Sequence, residues 1–314
     1  MNLYDKVTKQ IIEQLEAGAK PWQKSWKGSQ SFSMPRNAIT GKDYNGINIP
    51  LLWTAQADKG LQTSEFATFK QWKEKGRMVA KGEKGTMIVF FKMLDVVRDD
   101  KEEKIPMLRQ STVFSECQLQ DYQAKPPVDA VDLTTRIAQA DNVVKQSGAS
   151  VKHGGNQAFY QPSTDSIQMP DRESFIATDE SSATENYYST LLHELTHWTG
   201  HKQRLDRLRN TKRFGDNAYA FEELVAELGS AFLCAKLGVS NAPRADHASY
   251  LASWLKVLKQ DSRAIFTASS QASKACAFIM GDAKPIEAKP IEDKLSMIVA
   301  ASAIKAKLQS AFNF

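Results

Sequence analysis

"HELTHWTGHKQR", residues 193–204, decides the reading of this chain. His193 and His197 stand four apart, and on an α-helix that spacing puts both imidazoles on one face, where they can meet a single ion. Glu194 lies beside that site without being in line to ligate, so it can accept a proton from an attacking water. This arrangement on a helix points to metal-assisted peptide hydrolysis. Tyr187, Tyr188, Leu191 and Leu192 make the helix "TENYYSTLLHELTHWTG" mostly buried. Two histidines and a glutamate with nothing to bind would be costly there.

Two histidines and a water hold a metal poorly, so a third protein ligand is required. The metzincin pattern HExxHxxGxxH places it six residues after the second histidine. Gly200 fits the glycine of that pattern, but position 203 is Gln203 and His201 comes two residues early. His201 is therefore set aside. The other solution is a carboxylate from a second helix. "FEELVAEL", residues 221–228, offers Glu222, Glu223 and Glu227. In gluzincins the ligand glutamate is followed four residues later by an acid that supports a ligand histidine, and Glu223 and Glu227 have that spacing. Glu222 points about 100° away at ~3.6 residues per turn. Glu223 is the expected ligand, with Glu227 accepting the N–H of a ligand histidine. The His₂Glu set suits Zn²⁺ and also accepts Mn²⁺ or Co²⁺. Tyr219, one turn before Glu223, is a candidate to polarise the oxyanion; Tyr187, Tyr188 and Arg204 are others. "QAFYQPSTDSIQMP" reads as strand, turn, strand, and offers an edge for an extended peptide.

The 314 residues allow two domains of ordinary size, and 42% hydrophobic with 25% charged residues is a globular composition. No apolar run is long enough to span a bilayer. The N-terminal stretch carries acids and lacks a signal peptide's apolar core. Cys117, Cys234 and Cys276 form no CxxC pair, which argues against a disulfide framework and a cysteine zinc site. The expected compartment is the cytoplasm. Charge is uneven: residues 1–92 hold 15 Lys/Arg against 8 Asp/Glu, a net of +7, and the remainder holds 26 against 28. A basic front joined to a nearly neutral back suits a polyanion-binding segment followed by another function.

The periodicity predicts an α+β protein. Leu3, Val7, Ile11 and Leu15 mark a first helix ended by Gly18, "NIPLLWTAQADKG" a second after Pro50, and "TFKQWKEKG" a third. "TMIVFFKML" and "STVFSEC" read as strands, with the charged "RDDKEEK" as the loop between them. The polar, proline-bearing stretch 121–130 is the expected linker between a front segment, 1–120, and a back segment, 131–280, with a tail over 281–314. In the back segment helices are expected over "DLTTRIAQADNVVKQSG", the metal motif, "AYAFEELVAELGSAFLCAKLG" and "DHASYLASWLKVLKQ". The tail carries the echo "AKPIEAKPIED" and then an alanine-rich helix.

Residues 20–92 interleave aromatic with basic and polar side chains, the composition that stacks bases and meets phosphates in single-stranded nucleic acid. Trp22, Lys24, Trp26, Arg36, Asn37, Lys42, Tyr44, Lys81 and Lys84 are the candidates, with Trp22 and Trp26 expected in an exposed lysine-flanked loop and Trp53 in the core.

Taken together, "LEAGAKPWQKSW", "MPRNAITGKDYNGIN", "KGEKGTMIVFF", "HELTHWTGHKQRLDR" and "YAFEELVAELGSAFLCAKLG" resemble the antirestriction protein ArdC family, whose relatives include the N-terminal region of plasmid TraC-type primases. The resemblance covers most of residues 3–270. It implies a single-stranded-DNA-binding front domain and a zincin-like metallopeptidase back domain, carried by conjugative plasmids and phages, that protects incoming DNA from host restriction. The family's motif residues fall on His193, Glu194, His197 and the "EELVAE" helix. Two readings stay open: an active protease directed at a host restriction or other defence protein, and a DNA-coating protein whose metal site is structural or vestigial. DNA mimicry fits badly with a basic chain.

Overall fold

The first helix, α1 (Leu3–Glu16), starts on a reciprocal capping box between Asn2 and Asp5. Its stripe of Val7, Ile11 and Leu15 is fully buried. The structure, a computed structural model, describes residues 2–22, 33–98, 101–124, 133–179, 181–208, 217–240 and 247–282, with the side chains of 93–106 and 247–249 also outside the description. Helix α2 (Asn48–Lys59), expected after Pro50, begins before it, at Asn48. Pro50 sits in the first turn, where the missing N–H is not needed. It is buried almost all round, from Ile49 to Gln56.

Four strands make the first sheet: β1 (Arg36–Asn37), β2 (Glu65–Thr68), β3 (Thr86–Arg98) and β4 (Lys101–Ser115), in the order β1-β2-β4-β3. β1 and β2 are parallel and the other pairs antiparallel. Helix α3 (Phe69–Glu74) leaves β2 through a Thr68–Gln71 capping box. The loop predicted over "RDDKEEK" is corrected here. Arg98 pairs with Lys101 and Val97 with Glu102, so the ladder runs through most of the charged stretch. Backbone groups make that ladder, and charged side chains do not stop its register.

After α4 (Leu133–Ser147) comes a second sheet: β5 (Ser150–His153), β6 (Phe159–Gln161) and β7 (Ser166–Met169), ordered β5-β7-β6. The β6–β7 turn spans 162–165, as "PSTD" predicts, and β6 is an edge strand. Four helices follow: α5 (Ala183–Thr199), α6 (Asn217–Leu237), α7 (His247–Gln260) and α8 (Ala264–Ile279). α6 is buried on nearly every face and packs against α5, α7 and α8. No helix among the described residues is long and apolar enough to cross a membrane.

Met1–Met280 form one compact unit. Its core includes side chains from both ends of the chain. Trp53, a core residue as expected, meets Phe232 edge-on at 5.7 Å, and Trp22 meets Trp254 at 6.0 Å. Thr8 donates to the carbonyl of Ser262 at 2.7 Å. Of the expected linker, 125–130 lie outside the described residues. So do the echo and helix expected in the tail; Gly281–Phe314 is a separate unit, with only Gly281 and Asp282 described.

Candidate metal centre

The centre forms where α5 crosses α6, and a glycine permits the crossing. A Cβ at Gly229 would stand 2.5 Å from Cγ2 and 2.8 Å from Oγ1 of Thr196, the residue before His197. Ser230 ties the same pair of helices by donating to the Ser189 carbonyl at 3.0 Å. Gly229→Ala is therefore expected to lower stability by about 1–3 kcal/mol through overpacking and to weaken metal retention, because the helix spacing sets the ligand distances. Thermal denaturation with and without added zinc checks both effects.

Three donors converge at this crossing: His193, His197 and Glu223. His193 Nε2 lies 3.2 Å from His197 Nε2. Glu223 Oε2 is 3.5 Å from His193 Nε2, and its Oε1 is 3.5 Å from His197 Nε2. A tetrahedral zinc with bonds of about 2.0–2.1 Å holds its ligand atoms roughly 3.3–3.4 Å apart. The triangle therefore fits a small divalent cation, and the donor types suit Zn²⁺, Mn²⁺ or Co²⁺.

Each imidazole faces a carboxylate at its other nitrogen, within hydrogen-bond distance at His197 and beyond it at His193. Glu227 Oε2 is 3.9 Å from His193 Nδ1, and Glu222 Oε1 is 3.1 Å from His197 Nδ1. A cation bound at the two Nε2 atoms would leave each imidazole its Nδ1 proton, on the side of these carboxylates. Arg207 pairs with Glu222, one of four buried acidic side chains here with Glu194, Glu223 and Glu227. The same field acts on protons. Burial opposes a charged His197, but Glu223 and Glu222 outweigh it and push its pKa up to about 10. Burial likewise opposes the Glu223 carboxylate, and His197 and His193 nonetheless hold it far below the usual carboxylate range.

The sequence reading dismissed Glu222 and did not single out Arg207. The turn of about 100° that takes Glu222 away from the ligand direction places it against the second nitrogen of His197. Arg207 reaches it through Nε, 3.1 and 3.0 Å from its two oxygens. Gly200 permits this return of the chain: a Cβ there would stand 2.8 Å from Leu208 and 3.0 Å from the His197 carbonyl. His201 stays outside the converging group. Its Nδ1 accepts from the Gln203 N–H at 3.4 Å in the turn after α5.

A cavity of about 280 Å³ opens over the triangle, with Glu194, Tyr219 and Tyr250 in its lining and the β6 residues Phe159 and Tyr160 at its side. The hydroxyls of Tyr219 and Tyr250 lie 3.3 Å apart. Burial, then the Glu223 charge, then Tyr250 raise the pKa of Tyr219. Its phenol stays protonated and able to donate. The three alternative oxyanion candidates are corrected, because none of them lines this cavity. Tyr187 pairs with His153 Nε2 at 2.8 Å, Tyr188 donates to Asp141, and Arg204 donates from Nη1 to Asp165 at 3.0 Å while its guanidinium lies 3.8 Å from the centre of the Trp198 ring.

The profile of the zincin-like metallopeptidase family MPTase-PolyVal matches residues 138–271, and that of the N-terminal domain of anti-restriction factor ArdC matches residues 1–114. The fold superposes on the metal-free crystal structure of the antirestriction ArdC protein from plasmid R388 with a TM-score of 0.73 and 39% identity, covering 90% of this chain and 98% of that one. This chain belongs to the ArdC antirestriction family. The Mn(II)-bound structure of the R388 protein matches with a TM-score of 0.71 and 38% identity, over 91% of this chain and 100% of that one. Among sequences, protein y4eC of Sinorhizobium fredii is 40% identical over 285 residues, 87% of this chain and 90% of that protein. A DNA primase TraC of Escherichia coli is 37% identical over 314 residues, 93% of this chain but 28% of the primase.

In the region of the chain matched by the ArdC N-terminal profile, the candidate DNA contacts fare unequally. Trp22 is a correction: it is fully buried, not in an exposed loop, because its ring packs on Trp254 in the core while its indole N–H donates to Glu227 at 3.2 Å. Lys24 and Trp26 lie outside the described residues. Arg36 pairs with Glu65, and the Asn37 side-chain oxygen Oδ1 accepts from the backbone N–H groups of Ile39 and Thr40, both at 3.0 Å. Tyr44 is half-buried, and burial raises its pKa. Lys42, Lys81 and Lys84 are exposed. One further exposed group emerges. Phe90 stands across from Arg109 and Lys92 across from Met107, so the four share a face of the β3–β4 hairpin. Phe90 is 45% exposed, and Lys92 and Arg109 are exposed beside it.

Proposed function

We propose that this chain protects incoming DNA from restriction in the cytoplasm, with a peptidase site in residues 131–280 and a single-stranded-DNA surface in residues 1–120. The convergence of His193, His197 and Glu223 beneath a cavity that also holds Glu194 carries the peptidase reading. A divalent cation, zinc by preference, would polarise the scissile carbonyl and acidify the attacking water to a pKa near roughly 7 when bound there. Glu194 takes the proton of that water and returns it to the leaving amine. Tyr219 donates to the oxygen of the tetrahedral intermediate. The β6 edge pairs with the extended peptide, and Phe159 and Tyr160 flank it. The substrate proposed is a segment of a host restriction or other defence protein.

The DNA surface is supported by the net +7 of residues 1–92 and by the exposed Phe90, Lys92 and Arg109. An aromatic ring between cations stacks a base and meets the adjoining phosphates. Phe90→Ala in the full chain is expected to cost roughly 1–3 kcal/mol of single-strand affinity. Lys92→Ala and Arg109→Ala should each reduce the slope of log affinity against log salt by about 0.7, the single-strand value per phosphate contact. Fluorescence anisotropy over a salt series checks both; duplex competing as well as single strand would count against the surface.

The rival reading, a DNA-coating protein whose metal serves structure, draws support from how deeply the centre is tied into the core through Glu227 and Trp22. Conjugation into restricting recipients separates the two. Wild-type chain should raise transfer, and Glu194→Gln should not. Protection surviving in Glu194→Gln but lost with Phe90→Ala would favour coating.

A further inference from the structure

We propose that Trp22 is a positioning residue of the metal centre: its indole N–H fixes Glu227, and through Glu227 the His193 ring. This rests on reading His193, His197 and Glu223 as metal ligands. Trp22 belongs to the region matched by the ArdC N-terminal profile, far in sequence from the peptidase-like match at 138–271. It is nevertheless fully buried. An indole N–H is a donor only, and burying it requires an acceptor. That acceptor is Glu227 Oε1, at 3.2 Å.

Glu227 has two oxygens and two tasks. Oε1 takes the Trp22 bond while Oε2 lies 3.9 Å from His193 Nδ1. Holding one oxygen stops the carboxylate from turning, and so fixes which atom faces the histidine. At 3.9 Å that oxygen is beyond hydrogen-bond distance and acts as a nearby negative charge, which favours the proton on Nδ1 and leaves the Nε2 lone pair for the ion.

The indole ring is itself held. Trp254 packs against it at 6.0 Å, Tyr250 stacks on Trp254 at 6.2 Å, and the Tyr250 hydroxyl is 3.3 Å from that of Tyr219. α1, just before Trp22, is anchored through Val7, Ile11 and Leu15 in the same core. The front of the chain thus ends as a fixed post against which the centre is aligned.

Zinc affinity of the full-length protein, measured by competition with a chromogenic chelator, tests this. Trp22→Phe keeps an aromatic ring and removes the N–H; it should weaken zinc about tenfold, at the low end of the 10–100-fold typical for groups supporting a ligand. Glu227→Ala should weaken it by about 10–100-fold. Adding Trp22→Phe to Glu227→Ala should then change nothing further, an outcome that lost packing alone would not give. Glu227→Gln keeps the volume but turns an amide N–H toward Nδ1 when its oxygen accepts from Trp22. It should lose zinc at least as severely, and this holds whether or not Trp22→Phe folds. The proposal falls if Trp22→Phe binds zinc as wild type does, if its effect is the same in the Glu227→Ala background, or if Glu227→Gln binds normally. Wild-type protein that takes up no zinc would overturn the ligand assignment itself, whereas normal loading in wild type with an unaffected Trp22→Phe would overturn only the role of Trp22.

Discussion

Full-length protein carrying His197→Ala is expected to retain no stoichiometric zinc after desalting. His193→Ala and Glu223→Ala should behave the same way, while His201→Ala loads one equivalent. The three side chains are the converging donors, and His201 is engaged in its own turn. Apparent zinc binding energies of about 10–16 kcal/mol, shared over a coordination shell, put one protein ligand at roughly 3–4 kcal/mol, or about two to three orders of magnitude in affinity. Removal of a histidine also leaves Glu223 and its supporting carboxylate buried with less positive charge nearby, which adds to the loss. Elemental analysis gives the stoichiometry, and the shift of Tm with added zinc gives the relative affinity. Zinc retained by Glu223→Ala and lost by His201→Ala would move the third ligand to the histidine.

The second large effect belongs to Glu194. Glu194→Gln should keep a full equivalent of zinc and lose peptide hydrolysis by roughly 10²–10⁴-fold, the usual contribution of a positioned base. Glutamine has nearly the same shape, so the cavity and the α5 packing persist, but an amide cannot accept the proton of the attacking water. Glu194 is buried in the cavity lining beside the three donors, and so it can act at the site without binding the ion. Hydrolysis of a fluorogenic peptide library, compared at equal zinc content, measures the loss. Activity within about threefold of wild type would remove Glu194 as the base.

Which features the sequence disclosed follows from the range of the interactions involved. His193, Glu194 and His197 are related by helical spacing, a local property, and so were legible. Glu223 required only one more step, from a second helix with its own i, i+4 acid. Glu222 was set aside as a ligand, and its place beside His197 was not legible, because a helical wheel gives direction and not what stands there: the 3.1 Å contact with His197 depends on how two helices cross. Trp22 fails locally for the same reason. Lys20, Gln23 and Lys24 around it are polar, and its burial rests on distant partners, packing on Trp254 and a hydrogen bond to Glu227, 205 residues away. Helix α8 escaped notice because "AIFTASSQASKACAFI" is rich in alanine and serine and carries a weak apolar period, although Ala268, Ala272 and Ala275 are fully buried. β1 is two residues long and pairs with a strand 29 positions on, too short a run for alternation to show.

The most direct test of the central claim is anomalous diffraction at the zinc edge from crystals of the full-length protein grown with one equivalent of zinc. The account predicts a single strong peak about 2.0–2.2 Å from His193 Nε2, His197 Nε2 and a Glu223 carboxylate oxygen. A peak bound to His201, or one that leaves Glu223 more than about 3 Å away, beyond any zinc–oxygen bond, would contradict it.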